Sequence, residues 1–212
     1  MNLRTFYKIF YKHRIAKASF FLKIYTFIVV PFKYLHNIFF FEKKVNLDEH
    51  KIKFPNLGKK NLNSLFEYFN SDKGDYFINQ YLQPAKKNKV KIKAHGYAKI
   101  YENVFVNLKN TRLNILELGS FYGNAAAAFY FYFDEAYIYS GDIFPDLFKY
   151  KSNRIKNFYV DSSSRNSLSK NLLSKKNNFD IIIEDASHML KDQILSLFML
   201  FPLLKSGGLF IV

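Results

Sequence analysis

The stretch Ile115-Leu116-Glu117-Leu118-Gly119-Ser120-Phe121-Tyr122-Gly123-Asn124 is an apolar run that ends in an acid and two glycines, followed by Ala125 to Ala128. It reads as a buried strand, a tight turn and the start of a helix, the arrangement by which α/β folds hold a nucleotide-like cofactor at the carboxyl edge of a parallel sheet. Glycine lets the backbone approach a ligand, and a helix amino terminus offers N–H groups to an anion. The spacing is E-x-G-x-x-x-G rather than the G-x-G-x-x-G of a pyrophosphate-binding turn. A carboxylate at the strand end suits a ligand amine and favours a positively charged cofactor. Glu117, Gly119, Ser120 and Gly123 are therefore the first candidate contacts, and the small residues after Gly123 let the helix sit close to the sheet.

Working outward, Ala136 to Asp142 reads as the next strand. Its terminal acid, Asp142, stands where such folds grip a ribose diol; its alternative role is to cap the helical segment after Pro145. Lys156 to Val160 is a third strand, followed by Asp161 and a run of serines. Phe179-Asp180-Ile181-Ile182-Ile183-Glu184-Asp185 is a fourth, too apolar to have a solvent face. Met189 to Leu204 has helical spacing, and Ser206-Gly207-Gly208 turns the chain into Leu209-Phe210-Ile211-Val212. Strands alternating with helices predict a doubly wound, mostly parallel α/β sheet of about five strands.

On these residues the chain resembles the class I S-adenosylmethionine-dependent methyltransferases, whose fold is Rossmann-like. Glu117-x-Gly119 matches their first motif, Asp142 their ribose acid, and Leu204-Lys205-Ser206-Gly207-Gly208 their LKPGG turn with Ser in place of Pro. Within that class it is most similar to the metal-dependent O-methyltransferases that modify sugars on macrolides and related natural products. Their D-D-G-S-H element corresponds to Glu184-Asp185-Ala186-Ser187-His188, their TDK element to Ser71-Asp72-Lys73, and their H-x-Y element to His95-Gly96-Tyr97. The resemblance covers roughly residues 64–212. It implies S-adenosyl-L-methionine and Mg2+ as cofactors, a sugar-containing or other small-molecule acceptor, and a cofactor contact at Asp161. It also implies Lys73 and Tyr97 as contacts to the cofactor's carboxylate, each with a bland alternative as a solvated Lys or a core Tyr.

The chemistry of Asp185 and His188 can be argued beside the resemblance. A hydroxyl is a weak nucleophile until its proton leaves, and an imidazole is the usual general base near neutral pH. A divalent cation held by carboxylates also lowers a hydroxyl's pKa and orients a diol. His188 is thus the expected base and Asp185 the expected metal ligand, the alternative for His188 being a helix cap. Glu184 is either a second ligand or, since strand neighbours alternate sides, a structural group on the opposite face. In the family the Gly-Gly strand runs on into an acidic pair that completes the metal site, whereas this chain stops at Val212. The expectation is a core incomplete at its C-terminus, and an alternative function is a catalytically silent fragment that binds cofactor or a partner.

The 212 residues contain no Cys and no Trp, which excludes disulfide, zinc-thiolate and redox-thiol chemistry and suits a cytoplasmic protein. The net charge of +15 is unevenly spread. Residues 1–60 hold 13 Lys and Arg against 3 acids, residues 61–110 hold 8 against 4, and residues 111–212 hold 11 against 10. The organisation expected is a basic, aromatic amphipathic segment over 1–44, a linker over 45–63, a helical lead-in that covers the cofactor over 64–110, and the core over 111–212. The apolar run Phe20–Val30 is too short for a bilayer span of about 20 residues. Residues 1–44 instead predict a helix lying on an anionic membrane surface at its cytoplasmic face, or one packing on the domain or on a second subunit of a homo-oligomer. Nucleic acid is not expected, because no binding motif accompanies the basic residues. Lys86 to Lys93, with five lysines in eight positions, reads as a solvated loop.

Overall fold

A computed structural model describes residues 1–40, 44–79, 90–172 and 178–212, with the side chains of residues 39 and 40 excepted. In chain order the elements are α1 (Leu3–Ile9), α2 (Phe20–Phe40), β1 (Val45–Asn46), α3 (Leu47–Lys53), α4 (Leu62–Phe69), β2 (Tyr76–Ile78), β3 (Lys91–Lys93), α5 (Ala98–Phe105), β4 (Asn114–Leu118) and α6 (Asn124–Tyr132). They continue with β5 (Tyr137–Asp142), β6 (Tyr150–Lys151), β7 (Ile155–Tyr159), α7 (Arg165–Leu172), β8 (Phe179–Glu184), α8 (Leu190–Leu200) and β9 (Leu204–Ile211).

Five strands form one sheet in the order β7-β5-β4-β8-β9, and every pairing is parallel. The expected doubly wound sheet is therefore present, with its order reversing at β4, the strand before the glycine turn. Alternation along the strands divides the core in two. Ile115, Ile181 and Ile183 face α4, α5 and α6, while Leu116, Leu118 and Ile182 face α7 and α8. Helix α6 is buried along its whole length, from Asn124 to Tyr132, because alanines bring it close to the sheet and aromatics fill the space outside it. Its C-terminal carbonyls are capped by Arg154, whose guanidinium donates to Tyr130, Phe133 and Ala136 at 3.0–3.1 Å.

Residues 45–63, expected as a linker, are folded onto the core. Leu47 and Leu57 are buried, and β1 pairs in parallel with β6. The Asp48 carboxylate accepts from Tyr130 Oη at 2.7 Å, Ser152 Oγ at 2.8 Å and the Asn153 N–H at 3.0 Å. A polar, lysine-rich composition hides two apolar anchors and one acid that recruits three donors. The lead-in also contains an unexpected hairpin, β2 with β3, which takes in Lys91 and Lys93; residues 86–89 of the expected lysine loop lie outside the described residues.

The N-terminal segment is an antiparallel pair, α1 against α2. Helix α2 runs through Pro31, which has no N–H to give to the Phe27 carbonyl. Tyr7 Oη donates to that carbonyl at 2.9 Å instead, so the helix continues. The expected apolar stretch is thereby extended to Phe40. Among the described residues no helix is long and apolar enough to cross a membrane.

Candidate functional site

Strand β4 ends at Leu118, and the turn to α6 uses left-handed backbone at Gly119 (φ +85°), Phe121 (φ +42°) and Gly123 (φ +80°). At Gly119 a Cβ would stand 2.0 Å from the Asp185 carbonyl oxygen, so only glycine lets the β4 and β8 ends approach this closely. At Gly123 it would meet the Phe148 ring at 2.4 Å. The turn forms one wall of a cleft of about 690 Å³ at the carboxyl ends of the strands. Its lining brings together Gly119, Ser120, Asp142, Asp161, Asp185 and His188, with Tyr97, His95, Ser71 and Asp72 from the lead-in.

Asp142, at the end of β5, is buried, and its two oxygens accept from the Phe121 and Phe144 N–H groups, each at 2.7 Å. Burial raises its pKa, while those backbone bonds act in the opposite direction. The helical turn Pro145–Leu147 has no side-chain cap, so the carboxylate ties the glycine turn to the β5 end instead of capping the segment after Pro145. Ser120 Oγ donates to the Glu117 carbonyl at 3.3 Å.

Glu117 sits on the α4–α6 side of the sheet, fully buried, and its Oε2 has no hydrogen-bond partner among the described residues. Burial pushes its pKa up to about 7 against the opposing pull of the Lys73 ammonium, with Asp185 adding to the rise. Lys73 is also buried, and its ammonium is bonded to Asp185 Oδ2. Burial opposes the Lys73 charge, but Asp185, Glu117 and Asp72 outweigh it and raise the pKa. Lys73, expected to meet a cofactor carboxylate, thus lies under the cleft as the shared counter-ion of three acids. Tyr97 lies in the cleft wall, its ring stacked on His95 at 5.2 Å between centroids and 12° between planes.

His188 is 70% exposed in its side chain and has left-handed backbone (φ +55°). Its Nε2 is 3.8 Å from Asp185 Oδ1, within ion-pair reach but beyond a hydrogen bond. It does not cap α8; Ser187 Oγ accepts from the Met189 N–H at 3.3 Å and donates to Asp192 at 2.7 Å there. Glu184 is buried on the opposite face of β8, 3.4 Å from Ser196 Oγ on α8. That is the structural alternative, and it follows from strand alternation. Among the described residues no three His, Asp or Glu are grouped to hold a metal ion. With one Asp185 oxygen on Lys73, these residues do not of themselves make the all-oxygen cage a hard divalent cation needs.

Asp161, just past β7, is buried and bonded at both oxygens: Oδ1 accepts from the Ser163 N–H (3.1 Å) and Oγ (2.6 Å), and Oδ2 accepts from Lys12. Burial alone would raise its carboxyl; the Lys12 and Ser163 bonds outweigh that and hold it below its usual range. Nothing local in the sequence marks Lys12 or the adjoining His13, which also lines the cleft, because their partners lie almost 150 positions away.

No family model matches the chain. Over 125 residues it is 29% identical to the 8-demethyl-8-alpha-L-rhamnosyl tetracenomycin-C 2'-O-methyltransferase of Streptomyces olivaceus, a match that takes in 56% of this chain and 32% of that protein. The chain thus spans about a third of the length of that curated relative. Among solved structures it matches the MycE methyltransferase from the mycinamycin biosynthetic pathway in complex with Mg and SAH. The TM-score is 0.56 and the identity 22%, covering 71% of this chain and 36% of that one. The same enzyme in complex with Mg, SAH and mycinamycin VI matches equally, at TM-score 0.56, over 38% of its length. The parallel order β7-β5-β4-β8-β9, with the glycine turn at its centre, is the fold of the class I S-adenosylmethionine-dependent methyltransferases.

Proposed function

We propose that the chain binds S-adenosyl-L-methionine in this cleft and serves methyl transfer to a hydroxyl of a sugar-containing or other small molecule. The carrying observation is the unpartnered, buried Glu117 Oε2 beside a turn whose Gly119 leaves no room for a Cβ. A buried carboxylate oxygen without a donor is costly and suits a ligand ammonium. Asp142 is set to take a ribose diol, and Tyr97 to flank the amino-acid end. When bound, the cofactor supplies an electrophilic methyl group. His188, exposed at the cleft rim, would take the acceptor's proton at its ring nitrogen, and Asp185 would hold the imidazole by charge. The kinship to a rhamnosyl 2'-O-methyltransferase supports a glycosidic acceptor. No step here depends on a metal.

The test is transfer of labelled methyl from S-adenosylmethionine to a panel of rhamnosyl glycosides. His188→Ala should abolish turnover while leaving S-adenosylhomocysteine affinity within a few-fold. Equal loss of both would make His188 structural. Turnover by neither protein, with cofactor still bound, would favour a silent binding chain.

A second reading concerns α2. Phe20, Phe21, Ile24, Tyr25, Phe27, Ile28, Phe32, Leu35 and Ile38 are all exposed. At about 3.6 residues per turn they fall within one half of the helix circumference, with no charged residue among them. Thr26 and Val30 are buried on the other side. An uncharged apolar face on a basic segment fits an anionic bilayer surface, with the helix lying in the headgroup boundary. Co-sedimentation of the full chain with phosphatidylglycerol vesicles should exceed that with phosphatidylcholine and should fall in Phe21→Ser/Phe32→Ser. No vesicle binding and a doubled mass in solution would assign the face to a second copy.

A further inference from the structure

The N-terminal segment reaches the cleft through one short turn. Residues Phe10–Arg14 form a π-helical turn, a form that is rare and recurs at functional sites. Three consecutive basic residues of this turn each meet the sheet's carboxyl edge. Lys12 bonds to Asp161, a ring nitrogen of His13 is 2.9 Å from Tyr159 Oη, and Arg14 Nη2 is 2.6 Å from Asp146 Oδ2. Aromatic contacts reinforce the latch: the Arg14 guanidinium lies 5.0 Å from the Phe144 ring centroid, and Lys8 Nζ 4.5 Å from that of Tyr159. The carboxylates held, on Asp161 and Asp146, have side-chain exposures of 5% and 7%, so the turn is seated on the domain and not resting on its surface.

His13 lines the cleft in consequence, with its ring edge-to-face on Phe144 at 6.0 Å between centroids. If Asp142 holds a ribose, the base attached to it must lie beyond, towards Phe144, Val160 and Asp161. Asp161 is held in place by Lys12 and Ser163 and keeps one acceptor site for a further donor. Beside it the cleft offers ring surface. Burial lowers the His13 pKa, with nearby Asp161 opposing, so the ring presents a neutral face near pH 7.

We propose that the turn Phe10–Arg14 is a built wall of the cleft, that His13 together with Phe144 receives the purine base of the bound nucleoside, and that Asp161 positions His13 through Lys12. This assignment rests on the cofactor reading above and adds to it a site residue from outside the core. It gives the N-terminal segment a part in cofactor binding independent of what covers α2.

The experiment is calorimetric titration of the full chain with S-adenosylhomocysteine and, separately, with adenosine. Removing one aromatic wall from a base typically weakens binding about tenfold. His13→Ala is expected to weaken both ligands by that common factor, since both carry the base, and His13→Phe to bind within about threefold of the unaltered chain because the ring is kept. Lys12→Met, which keeps the ring but opens the latch, should weaken both ligands as well, and it serves if His13→Ala does not fold. Unchanged adenosine affinity in His13→Ala and Lys12→Met overturns the proposal. Equal weakening by Ala and Phe at position 13 also overturns it, since the bond to Tyr159 and not the ring surface would then matter. Binding of neither ligand by the unaltered chain overturns the cofactor reading itself, a result distinct from either of these.

Discussion

Lys73 and Asp185, 112 residues apart in sequence, meet in an ion pair beneath the cleft, and Glu117 and Asp72 share the same ammonium. One cation thereby joins the lead-in to the ends of β4 and β8. Loss of the cation leaves several acids facing each other with no counter-charge, whereas loss of Asp185 leaves Lys73 with Glu117 and Asp72. Lys73→Met should therefore destabilise by about 3 kcal/mol, more than Asp185→Asn, in urea unfolding. The reverse ranking would contradict the shared counter-ion.

Glu117 carries a pH signature. Its folded pKa, about 7, lies above the ordinary value of 4.5, so the fold favours the protonated form. The stability linked to it is fully present below pH 4.5 and is lost as pH rises through about 7. Glu117→Gln should track the unaltered protein below about pH 4.5, gain on it as pH rises towards about 7, and keep a constant advantage above that. Affinity for an amine-bearing ligand should run the other way in the unaltered protein, rising with ionisation, and become flat in the Gln variant. A parallel pH profile in both proteins would remove Glu117 from the site.

Gly119→Ala is expected to cost about 2 kcal/mol or more from left-handed backbone alone. The clash with the Asp185 carbonyl adds to that and must part β4 from β8. Thermal unfolding should show a large fall, and S-adenosylhomocysteine binding should be lost. Gly207→Ala, also left-handed but with nothing near a Cβ, should be milder. Similar losses at the two positions would deny the close approach.

Asp48 docks residues 45–63 to the core by accepting three hydrogen bonds. Burial would raise its pKa, but those bonds outweigh it and hold the carboxyl below its ordinary value. Its contribution is then present above the ordinary carboxylate range and lost as pH falls through the lowered value. Asp48→Ala should cost about 1–3 kcal/mol near neutral pH, mainly through the donors left unpaired, and less in acid. Limited proteolysis should cut the variant within 45–63 first. A variant as stable and as resistant as the parent would mean the segment is a tether after all.

How much of this was legible in the sequence differs by region and for physical reasons. The sheet is readable because β4, β5 and β8 are short, largely apolar runs punctuated by Gly, Asp and Ser, and the glycine turn forces its own geometry at Gly119. Asp142, Asp185 and His188 lie at or just past strand ends, so strand placement alone brings them to one cleft, with Glu117 buried behind the turn. The partners of Lys73 and Asp161 were not legible, because a charge pair over more than 100 residues leaves no local pattern. Residues 45–63 misled because composition reports solvent exposure on average, while docking there rests on Leu47, Leu57 and Asp48. Helix α2 continues past Pro31, and Tyr7, on another helix, serves the carbonyl that proline leaves unbonded.

The most direct test of the account is calorimetric titration of S-adenosylhomocysteine into the unaltered chain and into Asp142→Ala, with chelator present in both. Binding by the first is expected, indifferent to chelator because the described contacts use no metal, and at least tenfold weaker binding by the second. No heat of binding to the unaltered chain, or equal affinity for the two proteins, would contradict the claim that this cleft holds the methyl donor.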